Sequence, residues 1–204
     1  MQKLNHTLYP METDSPEWRI AIVTPNTEKA CERKLTDWKQ GQSLAVETYV
    51  PAQRELHEWP STGKRKWIDR VLCPGLLFIR STEKVRYTIK AKCPYILHFL
   101  KDRARKGKEQ TVAPFAVVPE DQMEAFRRMV GDAETPITMD TFQLHVGSRV
   151  RIKSGSLKGL EGCLIREPGK SPRFCIRIDL LGYATMEIDA AHLEEVDPKP
   201  TQSK

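Results

Sequence analysis

The chain has 204 residues, of which 39% are hydrophobic and 29% charged, with five cysteines and a formal net charge of +6. That length suits two small domains or one of ordinary size. The longest apolar run, residues 71–79, is broken by Cys73-Pro74-Gly75 and is far too short to span a bilayer. Cys31, Cys73, Cys93, Cys163 and Cys175 are odd in number and form no Cys-x-x-Cys pair, which reads as reduced, mostly buried thiols in a cytoplasmic protein. The first sixteen residues are polar, so no secretory signal is expected there.

Along the chain, Trp18, Ile20 and Ile22 alternate with Arg19, Ala21 and Val23, the period of a β-strand. Pro25 and Asn26 end it. Thr27 is placed to cap a helix with Glu28 in its first turn and Cys31, Leu35 and Trp38 on its buried stripe, stopped by Gly41. Residues 46–50 form a second strand. Residues 53–70 are polar and basic, with Pro60-Ser61-Thr62-Gly63 at the centre, and read as an extended hairpin arm carrying Lys64, Arg65 and Lys66 beside Trp67. Leu76-Leu77-Phe78-Ile79 is continuously apolar, hence a strand buried on both faces. Ser81 or Thr82 caps a short helix through Ala91, Pro94 ends it, and residues 96–100 make another strand before the basic loop 101–108. Pro119 opens a last helix with Met123, Phe126, Met129 and Val130 inward. The order β-α-β-β-α-β-α predicts an α+β domain, helices packed on a mainly antiparallel sheet.

Residues 131–145 show no strong period and read as a linker. Beyond them come short strands: Val150 and Ile152; then Cys163 to Ile165; then Phe174, Ile176 and Ile178 in alternation; then Met186 and Ile188. Gly155, Gly159, Gly162 and Gly182 punctuate them, so the stretch predicts a small all-β barrel. The expected division is a polar tail at 1–16, a first domain at 17–130, the linker, a barrel at 146–197 and a polar tail at 198–204. Lys and Arg outnumber Asp and Glu by 22 to 14 in residues 17–130 and balance at 8 to 8 in residues 146–197. The first domain is therefore the candidate for a polyanion, and the barrel suits a protein partner better.

The run Gly147-Ser148-Arg149-Val150-Arg151-Ile152-Lys153-Ser154-Gly155-Ser156-Leu157-Lys158-Gly159-Leu160-Glu161-Gly162 resembles the KOW motif of ribosomal proteins and NusG-type transcription factors. Leu181-Gly182-Tyr183-Ala184-Thr185-Met186-Glu187-Ile188 resembles the NusG version. Trp18 at the first strand, the helix with Glu28 and Leu35, the Arg65-Lys66 arm and Cys73-Pro74-Gly75-Leu76-Leu77-Phe78-Ile79 are similar to the NusG N-terminal (NGN) domain. Within that family the chain looks most like specialised paralogues, namely RfaH and the UpxY antiterminators of capsular polysaccharide operons. The resemblance implies an elongation factor that binds RNA polymerase and suppresses pausing or termination. Two other readings stay open at this point: a ribosome-associated or RNA-binding KOW protein without polymerase contact, and a housekeeping NusG that assists Rho.

Enzyme chemistry is not expected. The five histidines show no metal spacing, and Gly169-Lys170-Ser171 lacks the earlier glycine of a phosphate loop. No cofactor or metal is implied, and a monomer is expected. Three binding surfaces are. Trp18, Ile20, Ile22, Leu76 and Phe78, bordered by Phe99, are expected to form an apolar patch that, by resemblance, receives the clamp helices of RNA polymerase. Leu76 departs from many relatives, which carry an aromatic residue there. Arg86 and Lys90, four apart on one helix face, with Tyr87 and the arm residues Lys64, Arg65 and Lys66, suit a phosphate backbone and an unpaired base, and the resemblance implies that they meet the non-template DNA strand or nascent RNA. Leu181, Gly182 and Tyr183 suit protein recognition, and the resemblance implies that they meet a small-subunit ribosomal protein or Rho.

Overall fold

The computed structural model describes residues 15–40, 45–107, 112–140 and 146–196. The expected tails, apart from residues 15 and 16, lie outside these residues, as do residues 141–145 of the expected linker and Lys108. Strand β1 (Glu17–Val23) leads to helix α1 (Glu28–Gln40), then β2 (Glu47–Tyr49), the arm strands β3 (Ala52–Glu58) and β4 (Arg65–Val71), and β5 (Leu76–Ser81). Helix α2 (Glu83–Lys92), β6 (Ile96–Phe99), β7 (Val117–Val118) and helix α3 (Glu120–Asp132) follow. The remainder is β8 (Ile137–Asp140), β9 (Arg149–Ile152), β10 (Glu161–Ile165), β11 (Arg173–Ile178), β12 (Gly182–Glu187) and β13 (Leu193–Glu195), with a 3₁₀ turn at Ala190–His192. The mixture of antiparallel sheets and three helices agrees with the expectation.

The first sheet has the order β2-β5-β1-β6, and β7 also pairs with β1. Its centre is the antiparallel pair β1–β5, in register Trp18↔Arg80, Ile20↔Phe78 and Ile22↔Leu76. Alternation sends these side chains to two different cores. Trp18, Ile20 and Phe78 face α3 and join Met123, Phe126 and Met129. Ala21, Val23, Leu77 and Ile79 face the other way and join Cys31 and Leu35 of α1 and Ile89 of α2. Both faces of β5 are therefore buried, which is why it reads as an unbroken apolar run. Tyr49, Phe78 and Phe126 pack as a ring cluster with centroids about 6 Å apart.

The helix termini have local causes. The Thr82 hydroxyl accepts from the Val85 amide at 3.3 Å, which starts α2, and Pro94 follows its Cys93 cap. Thr27 does not cap α1 as expected: its hydroxyl donates to the Thr24 carbonyl at 2.6 Å. Glu28 does more than favour the first turn. Its buried carboxylate accepts from the Gly75 amide at 2.6 Å and the Asn26 amide at 3.2 Å. It thus ties α1 to the Pro-Gly turn before β5, where Gly75 has φ +78°.

The second sheet is antiparallel throughout, in the order β13-β9-β10-β11-β12-β8. Phe174, Ile176 and Ile178 point inward as their alternation predicts. Gly162 is dictated by packing, because a Cβ there would lie 2.4 Å from the Cys175 carbonyl oxygen and 2.5 Å from the Phe174 ring. The stretch expected as a linker is partly structured. Its first two residues end α3, and Ile137–Asp140 is β8, paired with β12 in register Ile137↔Met186 to Asp140↔Tyr183. Four residues after a proline carry too little periodicity to read as a strand, and its partner is more than forty positions away.

Helix α3 joins the two sheets. One apolar core continues from Trp18 and Phe78 through Phe126 and Met129 to Ile137, Val150 and Phe174. Around it, the Asp179 amide donates to Gln122 Oε1 at 2.8 Å and Ser156 Oγ donates to the Asp132 carbonyl at 2.8 Å. Arg128 donates to the Lys158 carbonyl. Gln53 and Arg70, at the base of the arm, bond the backbone at Thr135 and Ile137.

Candidate functional site

The expected apolar patch divides when the register is applied. Trp18, Ile20, Phe78 and Phe99 are each no more than 3% exposed, so they are core and not surface. Phe99 also lies on the opposite face from Phe78, because its partner on β1 is Ala21. Helices on both sides of the sheet are the physical cause. Trp18 is further fixed by its indole N–H, which donates to Glu120 at 3.2 Å, and by the Arg127 guanidinium 5.7 Å from its ring centre. Ile22 and Leu76 remain half-buried at the end of the sheet where the Glu28-anchored turn enters. They are the part of the expected patch that a partner can touch.

The expected cationic helix face divides similarly. Lys90 and Tyr87 are exposed, but Arg86 is 5% exposed. Its guanidinium lies 3.6 Å from the centre of the Phe115 ring and 5.4 Å from that of Phe99. Glu83 takes two hydrogen bonds from Arg86 and a 3.3 Å contact from the buried Arg19, so its carboxyl sits below the usual range, chiefly through the bond from Arg86. Burial pulls the Arg19 pKa down, against the pull of Glu83 and Glu17. Arg86 is therefore a structural cation in an aromatic cage and not a free contact on the helix surface.

Arg86 instead forms the floor of a cleft of about 750 Å³ between α2, β6 and the chain after it. Lys90, His98, Lys101 and Arg103 line it with Phe99, Leu100, Phe115 and Leu180, and among the described residues no carboxylate does. Asp102, the nearest acid in sequence, is turned toward Arg105, 3.5 Å away. The Lys101↔Phe115 bridge and the Asp102 amide bond to the Pro114 carbonyl at 2.9 Å fold this basic segment back over the helix. Such a cluster, with low-dielectric aromatic walls, attracts anions and retains them better than scattered surface lysines. Lys101 and Arg103 were legible as basic-loop charges. His98, Phe115 and Leu180 were not, since they follow no periodic pattern and converge only in three dimensions.

The arm residues Lys64, Arg65 and Lys66 are exposed, with Arg65 paired to Glu58 at 2.6 Å. Of the third expected surface, Leu181, Gly182 and Tyr183 are all half-buried. Leu181 packs on the core, and Tyr183 faces a cleft shared with Gln122, Ala125 and Arg128 of α3. The exposed residue of this turn is its neighbour Leu180, 45% accessible and held at φ +73°.

A family model described as transcription termination factor NusG matches residues 16–139, more than half the chain. The chain belongs to the NusG family. No curated protein matches it in sequence. Among solved structures it is similar to "Domain interaction in Thermotoga maritima NusG", at 15% identity and a TM-score of 0.49, covering 89% of this chain and 98% of that one. It is also similar to the MjSpt4:Spt5 complex in conformations A and B, at 13% and 12% identity and TM-scores of 0.31, covering 88% of this chain and 97% and 96% of those. The family match covers β1 through α3 and β8 up to Met139. It therefore includes the Ile22–Leu76 pair, the arm and nearly all of the basic cleft, every lining residue but Leu180.

Proposed function

We propose that this NusG-family chain is an RNA polymerase-associated elongation factor that suppresses pausing and termination, specialised as an antiterminator of a long operon of the polysaccharide type. Residues 17–130 act as the NGN-type polymerase-binding domain, and the second sheet acts as a KOW barrel. The observation that carries the reading is the family match over the segment holding both an accessible apolar pair and a cleft lined by Lys90, Lys101 and Arg103. Ile22 and Leu76 meet the clamp helices of the polymerase. Lys90, Lys101 and Arg103, aided by Tyr87 and the arm cations, take the phosphates of the non-template strand.

No bond is made or broken in this mechanism. The protein bridges polymerase and nucleic acid, so it binds the moving complex better than the paused one and shifts the balance between them. A coupling of about 1–3 kcal/mol changes pause lifetimes by roughly 5- to 150-fold. Leu180 to Tyr183 offer the barrel's contact to a small-subunit ribosomal protein or to Rho. The family description as a termination factor favours a second reading, a housekeeping NusG that assists Rho. A purified transcription reaction on a pause-bearing template separates them. The first reading predicts shorter pauses and readthrough with Rho present; enhanced Rho-dependent release supports the second.

A further inference from the structure

The arm has seven cross-strand pairs, from Ala52↔Val71 at its base to Glu58↔Arg65 near its tip. Directly opposed residues share a face, so Arg54, Leu56, Trp67 and Arg65 stand on one side. Trp67 is 55% exposed and Leu56 49%, large values for side chains with so much apolar surface. Neither belongs to a buried core among the described residues. The Arg54 guanidinium lies 5.4 Å from the centre of the Trp67 ring, and Arg65 shares that face, whereas Lys66, opposite His57, stands on the other. On the opposite face Trp59 is also exposed, its ring 4.5 Å from that of His57.

We infer that the arm is a stacking platform for single-stranded nucleic acid: an unpaired base lies on the Trp67 indole while Arg54 on the same face and the exposed Lys64 hold the adjoining phosphates. The inference rests on the proposed reading of the arm as a nucleic-acid contact and adds its chemistry. An indole offers a flat π-face that every base can use, but only when that base is out of a duplex. Arg54 beside the ring and the exposed cations Lys64, Arg65 and Lys66 along the arm fit a phosphate backbone. They fit an apolar protein partner poorly, since the buried centres of protein interfaces are depleted in lysine. Asp69, on the same face, is neutralised by Lys29 of α1 at 2.5 Å, and Glu58 by Arg65, so neither acid opposes the strand.

The test uses the full chain, a labelled oligothymidylate and a duplex of equal length. The wild type should prefer the single strand, and its indole fluorescence should fall on binding. Trp67→Ala should weaken single-strand binding about 5- to 150-fold, with duplex binding unchanged. Trp67→Phe should keep most of the affinity, whereas Trp67→Leu, apolar but unable to stack, should behave like alanine. The inference is overturned if Trp67→Leu binds as the wild type, or if single strand and duplex weaken equally. It is also overturned if Trp67→Ala keeps the oligonucleotide and loses RNA polymerase, which would make the arm a protein contact. If Lys64→Ala with Lys66→Ala weakens binding and Trp67→Ala does not, stacking fails while the cationic reading of the arm stands. If neither set has an effect, both fail for the arm.

Discussion

Replacing Arg86 by methionine isolates the charge of the caged guanidinium, because the new side chain still fills the space over Phe115. In the native chain Arg86 gives Glu83 two hydrogen bonds and lies 3.6 Å from the centre of the Phe115 ring. A hydrogen bond to a charged group contributes about 1.5–3 kcal/mol, and a desolvated cation over a ring about 2 kcal/mol. Against these stand the desolvation of the guanidinium, which the variant no longer bears, and the contact Glu83 keeps with Arg19 at 3.3 Å. The balance is a loss of about 2–4 kcal/mol. In a chain of this size that lowers Tm by roughly 5–15 °C. Thermal unfolding followed by circular dichroism reads it, with Lys90→Met, exposed on the same helix, as the control expected to stay within about 0.5 kcal/mol. The pH dependence has a definite sign. Glu83 has a lowered native pKa, so its contribution is present above the unfolded carboxylate value of about 4.3 and is lost as pH falls through the lower native value. The gap between wild type and variant should be full at neutral pH and close progressively as the solution is acidified below that value. Equal Tm for wild type and Arg86→Met, or a gap that widens in acid, would refute the cage.

Glu28→Ala should cost about 2–4 kcal/mol by urea unfolding, because it orphans the Gly75 and Asn26 amides that the carboxylate accepts from; Lys29→Ala next to it should cost far less. Gly162→Ala should cost about 1–3 kcal/mol, since its Cβ would meet the Cys175 carbonyl at 2.4 Å; a neutral result would mean that β10 and β11 lie further apart than described. Lys90→Ala with Lys101→Ala should weaken single-stranded DNA binding and reduce the slope of log K against log salt by about two; an unchanged slope would remove the basic cleft from the nucleic-acid interface.

The elements with a strong period were legible in the sequence: β1 and β11 from alternation, α3 from its inward stripe, β5 from an unbroken apolar run bounded by Pro-Gly and Thr82. What alternation does not supply is register. Phe78 and Phe99 both lie on apolar strands beside β1, yet Ile20↔Phe78 and Ala21↔Phe99 send them to opposite faces. The spacing of Arg86 and Lys90 places them on one helix face without saying which of them turns inward. That was decided by Phe99 and Phe115, one of them nearly thirty positions away. Glu28 had a local explanation at the helix start, and its larger role, holding the Gly75 turn, depends on a residue 47 positions distant. The basic composition of residues 17–130 identified the domain that carries a cationic site, but the convergence of that site required the folded-back Lys101↔Phe115 segment.

Co-purification with RNA polymerase tests the central claim most directly. The tagged 204-residue chain should retain polymerase, and Leu76→Asp, at a half-buried position at the end of the central strand pair, should release it while circular dichroism and Tm stay near native. Ile22→Asp, across the strand pair, should do the same. Polymerase that stays bound to natively folded Leu76→Asp and Ile22→Asp would contradict the site, and failure of the wild type to retain polymerase at all would contradict the proposed function.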